Sequence, residues 1–467
     1  MQVRVWDIFQ KNRRFDLIFK YLYLKNHRNC CQLTNFYEEL YCEHIRAFNN
    51  FKEHHPSDGI PKESRADFIQ AFNRIYDDIR EHGFDAKKSI APIDTHFELV
   101  DAAHRVAACM CLNQDIWVQE VIQDAEEIYD YAFFRAKEIS PFYADYAALE
   151  YVKLQQNAYI VNLHSVTDPA LDSTVEKILC QYGFIYYKKN IKLTFSGYVN
   201  LKKMSYGNDI WDGPPWIGTI KNSFAGAQEH AKKSMGKNPL RAYVFVCDSL
   251  DKVVAAKAEI RKFFGIGNHS VHVNDNREEA LRLAETFFNE SSLWALNTRS
   301  FILEDEFLIE RITELKKITR DKGVSLDEIC AAGSSPLSVF GIRQSRDLDF
   351  LYSGNKEFVT NDPFISNHKS EAAYYPYNVV EQVVNPAHYF YYEGMKFITL
   401  NVLRLMKAKR NEVPKDIEDC RLIDTFVARN GKAPFIFFKK EKFGRLRKIT
   451  AFGLTFTYQK AQKKNQD

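Results

Sequence analysis

Apolar residues recur at every third or fourth position from Asn35 to His82, in NFYEELYCEHIRAFNNF and RADFIQAFNRIYDDIREHGF, with polar HHPSDGIPKES between them. That period lines one face of a helix, so two helices separated by a loop are predicted. SIAPID and FELVD read as short strands, AAHRVAACMCL as a helix and IWVQEVI as a further strand, which gives a compact α+β unit over residues 1–125. Residues 126–297 form the next unit. It opens with a stretch rich in Tyr and Phe that holds a helix at YADYAALEYVKLQQ and a strand pair near GFIYYKKNIKLTF. After the loop NDIWDGPPWIG the pattern becomes strand RAYVFVCDS, helix LDKVVAAKAEIRKFFG, strand HSVHVND and helix REEALRLAETFFNE. Such alternation predicts a parallel, Rossmann-like sheet with helical crossovers. The pattern resets for a third α/β unit over 298–430, with a helix before Gly333, a strand at RDLDFLY and a helix at LNVLRLMKAKR. A tail follows over 431–467. The expected fold class is thus α/β and α+β in several domains.

Composition narrows the classes without selecting one. Of 467 residues, 45% are hydrophobic and 27% charged, values of a folded chain rather than a disordered one. A net charge of +3 supplies no general field for nucleic acid. The nine cysteines are scattered without CxxC spacing, so a disulfide framework and a structural zinc site are both unexpected. No run approaches the roughly eighteen apolar residues of a membrane span, and Met1 to Arg14 lacks the apolar core of a signal peptide. The expected location is the cytoplasm. Only the tail departs from balance: Lys439, Lys440, Lys442, Arg445, Arg447, Lys448, Lys460, Lys463 and Lys464 face Glu441 and Asp467 alone, with Phe and Ile interleaved. That pattern suits peripheral contact with an anionic membrane, or a solvated element docked by its apolar side.

The densest chemistry lies in the third unit. Gly333-Ser334-Ser335 is followed by Arg343, Ser345 and Arg346-Asp347-Leu348-Asp349-Phe350. Alternate residues of a strand share a face, so Asp347 and Asp349 point the same way. Two carboxylates that close repel unless a cation lies between them, and Mg²⁺, with its preference for hard oxygen ligands and substrate phosphates, is the natural one. A Gly-Ser turn lets backbone N–H groups approach phosphate oxygens. These parts suit metal-assisted phosphoryl or nucleotidyl transfer.

The segment AAGSSPLSVFGIRQSRDLDF resembles the first motif of polymerase-β-type nucleotidyltransferases, and Lys407-Ala408-Lys409-Arg410 with Lys415-Asp416-Ile417-Glu418-Asp419 is similar to later motifs of their abortive-infection branch. The resemblance implies metal binding by Asp347 and Asp349. It implies phosphate or nucleotide contact by Gly333, Ser334, Ser335, Arg343, Arg346 and Lys407, and a supporting or catalytic role for Asp416 and Asp419. Mg²⁺ and a nucleoside triphosphate, ATP or CTP, are the implied cofactors. The family's third carboxylate has only Glu381 and Glu393 as convenient candidates.

In the first unit, FELVDAAHRVAAC places Glu98, Asp101, His104 and Arg105 where a strand end turns into a helix, a setting suited to an anionic group. The stretch resembles the DGxHRxxA signature of the ParB/sulfiredoxin-like fold. That resemblance implies nucleotide phosphate contact by His104 and Arg105, with Asp101 and Glu98 as acid/base or metal groups. Ala102 stands where the family carries Gly, and Ala103 excludes a sulfiredoxin cysteine. A third candidate joins His269, His272, Asn274 and Asp275 to the stretch from Tyr206 to Gly226 with Trp211, Trp216 and, just beyond, His230. It is similar, loosely, to bacterial proteins of surface-polysaccharide gene clusters.

The expected function is a cytoplasmic Mg²⁺-dependent nucleotidyl- or phosphoryl-transferase acting on a small hydroxyl acceptor such as a sugar precursor, with a second, kinase-like site in the ParB-like unit. Two readings stand beside it: a nucleic-acid-associated, nucleotide-gated or RNA-modifying protein, and an inactive scaffold.

Overall fold

After a short helix over Val5–Lys11 come helices over Asp16–Cys30, Phe36–Asn49 and Arg65–His82, the last two where the apolar period placed them. A capping box starts the last of them: Ser64 Oγ accepts from the Asp67 N–H, and the Asp67 carboxylate accepts from the Ser64 N–H. The computed structural model describes residues 1–30, 33–54, 60–122, 128–207 and 216–431, and the backbone of strands 438–443, 446–451 and 454–459. It mixes helices with several small sheets.

In the first sheet β1 (Gln2–Val3) and β2 (Ala91–Ile93) flank β3 (Ile116–Glu120), β1 antiparallel and β2 parallel to it. FELVD is not a strand, contrary to expectation. The chain turns back there, Phe97 adopts φ +69°, and only the bridge between Ile93 and Leu99 remains.

The second sheet corrects the Rossmann-like expectation. Its strands are β4 (Ala158–Leu163), β5 (Phe184–Ile191), β6 (Leu240–Val246) and β7 (Val271–Val273), in the order β5-β6-β4-β7 with every neighbour antiparallel. Two crossovers are present, β4 to β5 through helix Asp172–Tyr182 and β6 to β7 through helix Leu250–Phe264. Each is split by a strand of the other, so its two strands run parallel but never touch, as in ferredoxin-like units. Local alternation is the same in both architectures; only long-range pairing separates them. GFIYYKKNIKLTF yields the single strand β5, after which Thr194 caps helix Phe195–Tyr206 by accepting from the Gly197 N–H at 3.0 Å. The strand β6 is buried on both faces. Tyr243 and Phe245 pack with the two crossover helices, and Ala242, Val244 and Val246 with the main core.

In the third sheet the order is β10-β9-β8-β12-β11, with β8 (Ile329–Ala331), β9 (Leu348–Tyr352), β10 (Ile365–Asn367), β11 (Tyr389–Tyr392) and β12 (Met395–Ile398). Strand β9 runs antiparallel to β8 and parallel to β10, while β12 is parallel to β8. The main apolar core runs without a break from Val5 to Ile423, across residues 125 and 297. Polar stitches follow it: the Tyr391 N–H donates to Ser292 Oγ (2.8 Å), Asn289 Nδ2 to the Pro386 carbonyl (3.2 Å), Thr34 Oγ1 to Glu381 (2.5 Å), and Lys153 Nζ to Asp327 (2.7 Å).

The tail strands β13 (Phe438–Phe443), β14 (Leu446–Ala451) and β15 (Leu454–Gln459) form an antiparallel meander. The side chains on which a membrane contact of the tail depends lie outside the described residues, as does Trp211. Among the described residues no helix is long and apolar enough to cross a membrane.

Candidate functional site

Strand β8 ends at Ala331 and the chain turns through Gly333 and Ser334 into the short helix Ser335–Val339. The turn needs glycine for two reasons. Gly333 has φ +57°, and a Cβ there would lie 2.2 Å from Asp349 Oδ2. The loop that returns to β9 is held against this helix: Ser338 Oγ accepts from the Ser345 N–H (2.5 Å) and donates to the Arg343 carbonyl (3.2 Å), and Ser335 Oγ reaches the Asp347 carbonyl (3.4 Å). Leu348 and Phe350 are fully buried, so Asp347 and Asp349 share the opposite face, Asp347 exposed and Asp349 half-buried. The Asp347 carboxyl is pushed up by burial and by Asp349, against the opposing charges of Lys415, His368 and Arg343. Lys415 and Arg346 are exposed there, and among the described residues neither takes part in an ion pair.

Three residues that sequence reasoning missed frame Asp349. Ser366 Oγ donates to Asp349 Oδ1 (2.9 Å), His368 Nε2 lies 3.8 Å from Oδ2, and His368 Nδ1 meets the Tyr375 hydroxyl (2.9 Å). Burial holds His368 below the usual imidazole range against the pull of Asp349. These residues follow β9 in a segment without periodicity, and only the parallel register of β10, Ser366 opposite Asp349, brings them in. The proposed third carboxylate is not found where it was sought. Glu381 is engaged by Thr34, Asn385 and His388, and Glu393 sits in the turn between β11 and β12, at the opposite end of the sheet. Among the described residues no group of three or more His, Cys, Asp or Glu is arranged to hold a metal ion.

Behind the acid pair lies a buried ion network. Lys407 Nζ sits between Asp416 Oδ1 (3.1 Å) and Asp419 Oδ2 (2.8 Å), all three at most 2% exposed. Arg343 forks onto Asp419 (2.6 and 2.8 Å), and Arg410 onto Asp416 (both 2.9 Å). Burial raises the Asp416 carboxyl, but donors from Arg410, the Glu412 backbone and Lys407 outweigh it and hold it well below the carboxylate range. The network therefore locks helix Leu400–Arg410 to helix Lys415–Asn430 and, through Arg343, to the loop before Asp347. Lys407 is enclosed in this arrangement; it faces carboxylates rather than the start of β9, where phosphate contact was expected.

In the first unit helix Ala103–Leu112 starts from Ala102 at φ +73°, the conformation glycine adopts without strain. Asp101 is exposed, 4.0 Å from Arg105, whose Nε is buried without a partner among the described residues. Glu98 instead binds the Arg13 side chain (2.5 Å) and backbone (3.0 Å). His104 turns away from the expected phosphate position, its Nε2 meeting the Tyr41 hydroxyl (3.2 Å) and its ring edge-on to Phe72 (4.7 Å between centroids). Burial keeps it neutral. Beside it Asp16 is gripped by Arg14 and Lys20.

The third candidate divides. Asn274 is a clamp between the Ile160 N–H (2.6 Å) and the Asn276 carbonyl (2.9 Å), and Asp275 pairs with Lys257 at the surface (3.0 Å). His269 and His272 instead converge with His230, Tyr206 and Trp216, joined by Lys202 and His164, which no sequence signal marked. No protein-family model, no curated protein and no solved structure matches the chain.

Proposed function

We propose that the chain is a Mg²⁺-dependent nucleotidyl- or phosphoryl-transferase acting on a small hydroxyl acceptor, such as a sugar precursor for surface polysaccharide. The observation that carries this reading is the placement of Asp347 and Asp349 on one face at the start of β9, against a Gly333 turn that tolerates no Cβ. Their donor set fits a hard divalent ion, because the Asp349 charge raises the proton affinity of the Asp347 carboxyl and a cation between the two would relieve that repulsion. Asp347 and Asp349 would hold the ion, which when bound neutralises phosphate oxygens in the transition state. Lys415 and Arg346, exposed beside the pair, supply the positive charge that draws a triphosphate there, and the Lys407 network keeps the loop in place. The Arg105 guanidinium, unpaired at Nε beside the Ala102 turn, supports a second, kinase-like phosphate site in the first unit.

Calorimetric titration of the full chain with Mg²⁺ and each nucleoside triphosphate tests this reading. Nucleotide binding that requires Mg²⁺ and is lost in Asp349→Ala is expected, with Arg105→Ala removing any second stoichiometric equivalent. Binding without metal, or unchanged in Asp349→Ala, rejects it.

A further inference from the structure

Helix Phe195–Tyr206 turns Lys202 and, one turn on, Tyr206 toward the cluster of histidines on the inner face of the split sheet. Lys202 is 1% exposed, and its Nζ lies 2.8 Å from His164 Nε2. Among the described residues no carboxylate forms an ion pair with it. Glu279, the acid of the same cluster, is engaged by His272 Nε2 (2.6 Å), whose Nδ1 in turn accepts from the Tyr206 hydroxyl (2.9 Å).

Proton bookkeeping then exposes a shortage. With Lys202 donating to His164 Nε2, the His164 proton sits on Nδ1, which is buried and unpartnered. Assigning the Ser234 proton to His230 Nδ1 (3.3 Å) leaves the His230 proton on Nε2, also buried and unpartnered. With these tautomers neither imidazole N–H has an acceptor among the described residues, and Lys202, His164 and His230 lie close enough for their charges to repel one another. A compact group bringing several oxygens and negative charge would satisfy them together. Burial presses the Lys202 amine and the imidazoles toward their neutral forms, which an anion reverses. The cluster reaches the surface at the half-buried His269 and at Trp216, 41% exposed, whose ring lies 5.4 Å from that of His230. The cleft of about 590 Å³ on the other side of the same helix differs: Lys203 is paired with Glu304 and Arg282 with Glu278.

We propose that Lys202, His164 and His230 form an oxyanion site, reached past Trp216 and His269, for a small molecule bearing a phosphate or a carboxylate. It does not rest on the transferase reading, since it shares no residue with the Asp347 site.

The full chain is titrated at constant ionic strength with inorganic phosphate in one arm and succinate in another, by calorimetry and tryptophan fluorescence. Saturable binding in at least one arm is expected, and the arm that binds names the group. Lys202→Met and His230→Gln are each expected to weaken it at least tenfold while leaving Mg²⁺-dependent nucleotide binding unchanged. In Trp216→Phe the heat of binding persists and the fluorescence change disappears. Should Lys202→Met fail to fold, His230→Gln, on a separate helix, decides alone. No saturable binding of either anion, or undiminished binding in His230→Gln, overturns the proposal.

Discussion

At the scale of single residues the acid pair and its turn behave as one device. A methyl group at position 333 would meet the Asp349 carboxylate and would sit at positive φ, so Gly333→Ala cannot be accommodated by a side-chain shift alone. It is expected to lower stability by on the order of 1–2 kcal/mol and to weaken Mg²⁺-dependent nucleotide binding more than tenfold, measured by melts and calorimetry on the same preparation. His44 offers a contrasting case. It is 1% exposed, neither ring nitrogen has a side-chain partner among the described residues, and it packs against Phe19 and Tyr41. Burial, with the Lys20 charge, holds it neutral when folded, whereas the unfolded imidazole titrates near 6.5. Below that pH the unfolded chain takes up a proton that the folded chain refuses, so this contribution to stability is full above about 6.5 and is lost as pH falls. His230, pressed down to about 3 by burial and the Lys202 charge, acts in the same direction from 6.5 toward 3. His44→Phe is therefore expected to stabilise the protein, by about 1 kcal/mol at neutral pH, and by more at pH 5. A melting-temperature gain that shrinks on acidification would contradict this.

Among elements, the pair of helices Leu400–Arg410 and Lys415–Asn430 depends on a buried charge rather than on apolar packing alone. Lys407→Met removes the cation that Asp416 and Asp419 share and leaves each with its arginine alone, and is expected to cost about 1–3 kcal/mol, whereas Lys415→Met, at the surface nearby, should leave the melt unchanged and affect nucleotide binding only. Element type was largely legible from sequence because hydrophobic period is local. The helix after Ser64, the strand through Asp349 and the helix through Lys407 all follow from residues within a few positions of each other. What was not legible is pairing at a distance. Nothing near HSVHVND says that β4 lies beside β7, so a split antiparallel sheet was read as a parallel one. The acid pair was visible because Gly333 and the two aspartates lie on one short segment. Lys202 was not, because it owes its setting to His164, His230 and His272 on three separate segments, and a lone lysine in FSGYVNLKKMSY resembles any surface lysine.

For the whole molecule the decisive feature is the apolar core that passes through all three sequence units. Tyr151, Tyr186, Phe9 and Phe15 of the first two units pack together, and Leu315, Phe350 and Met406 belong to the same cluster. A fragment of residues 126–467 loses the partners of that surface and is expected to be insoluble or to lack a cooperative melt, as circular dichroism of the expressed fragment would reveal. A stable, sharply melting fragment would show that the first unit is dispensable. In the intact chain the shared core means that disorder at one end reaches the other, so heating should give a single transition. The protein then serves as its own detector: a compound held anywhere in the native state at a hundred times its dissociation constant adds about 2.7 kcal/mol to that one transition. A thermal screen of unrelated metabolites can therefore find ligands of either site without knowing in advance which one they occupy.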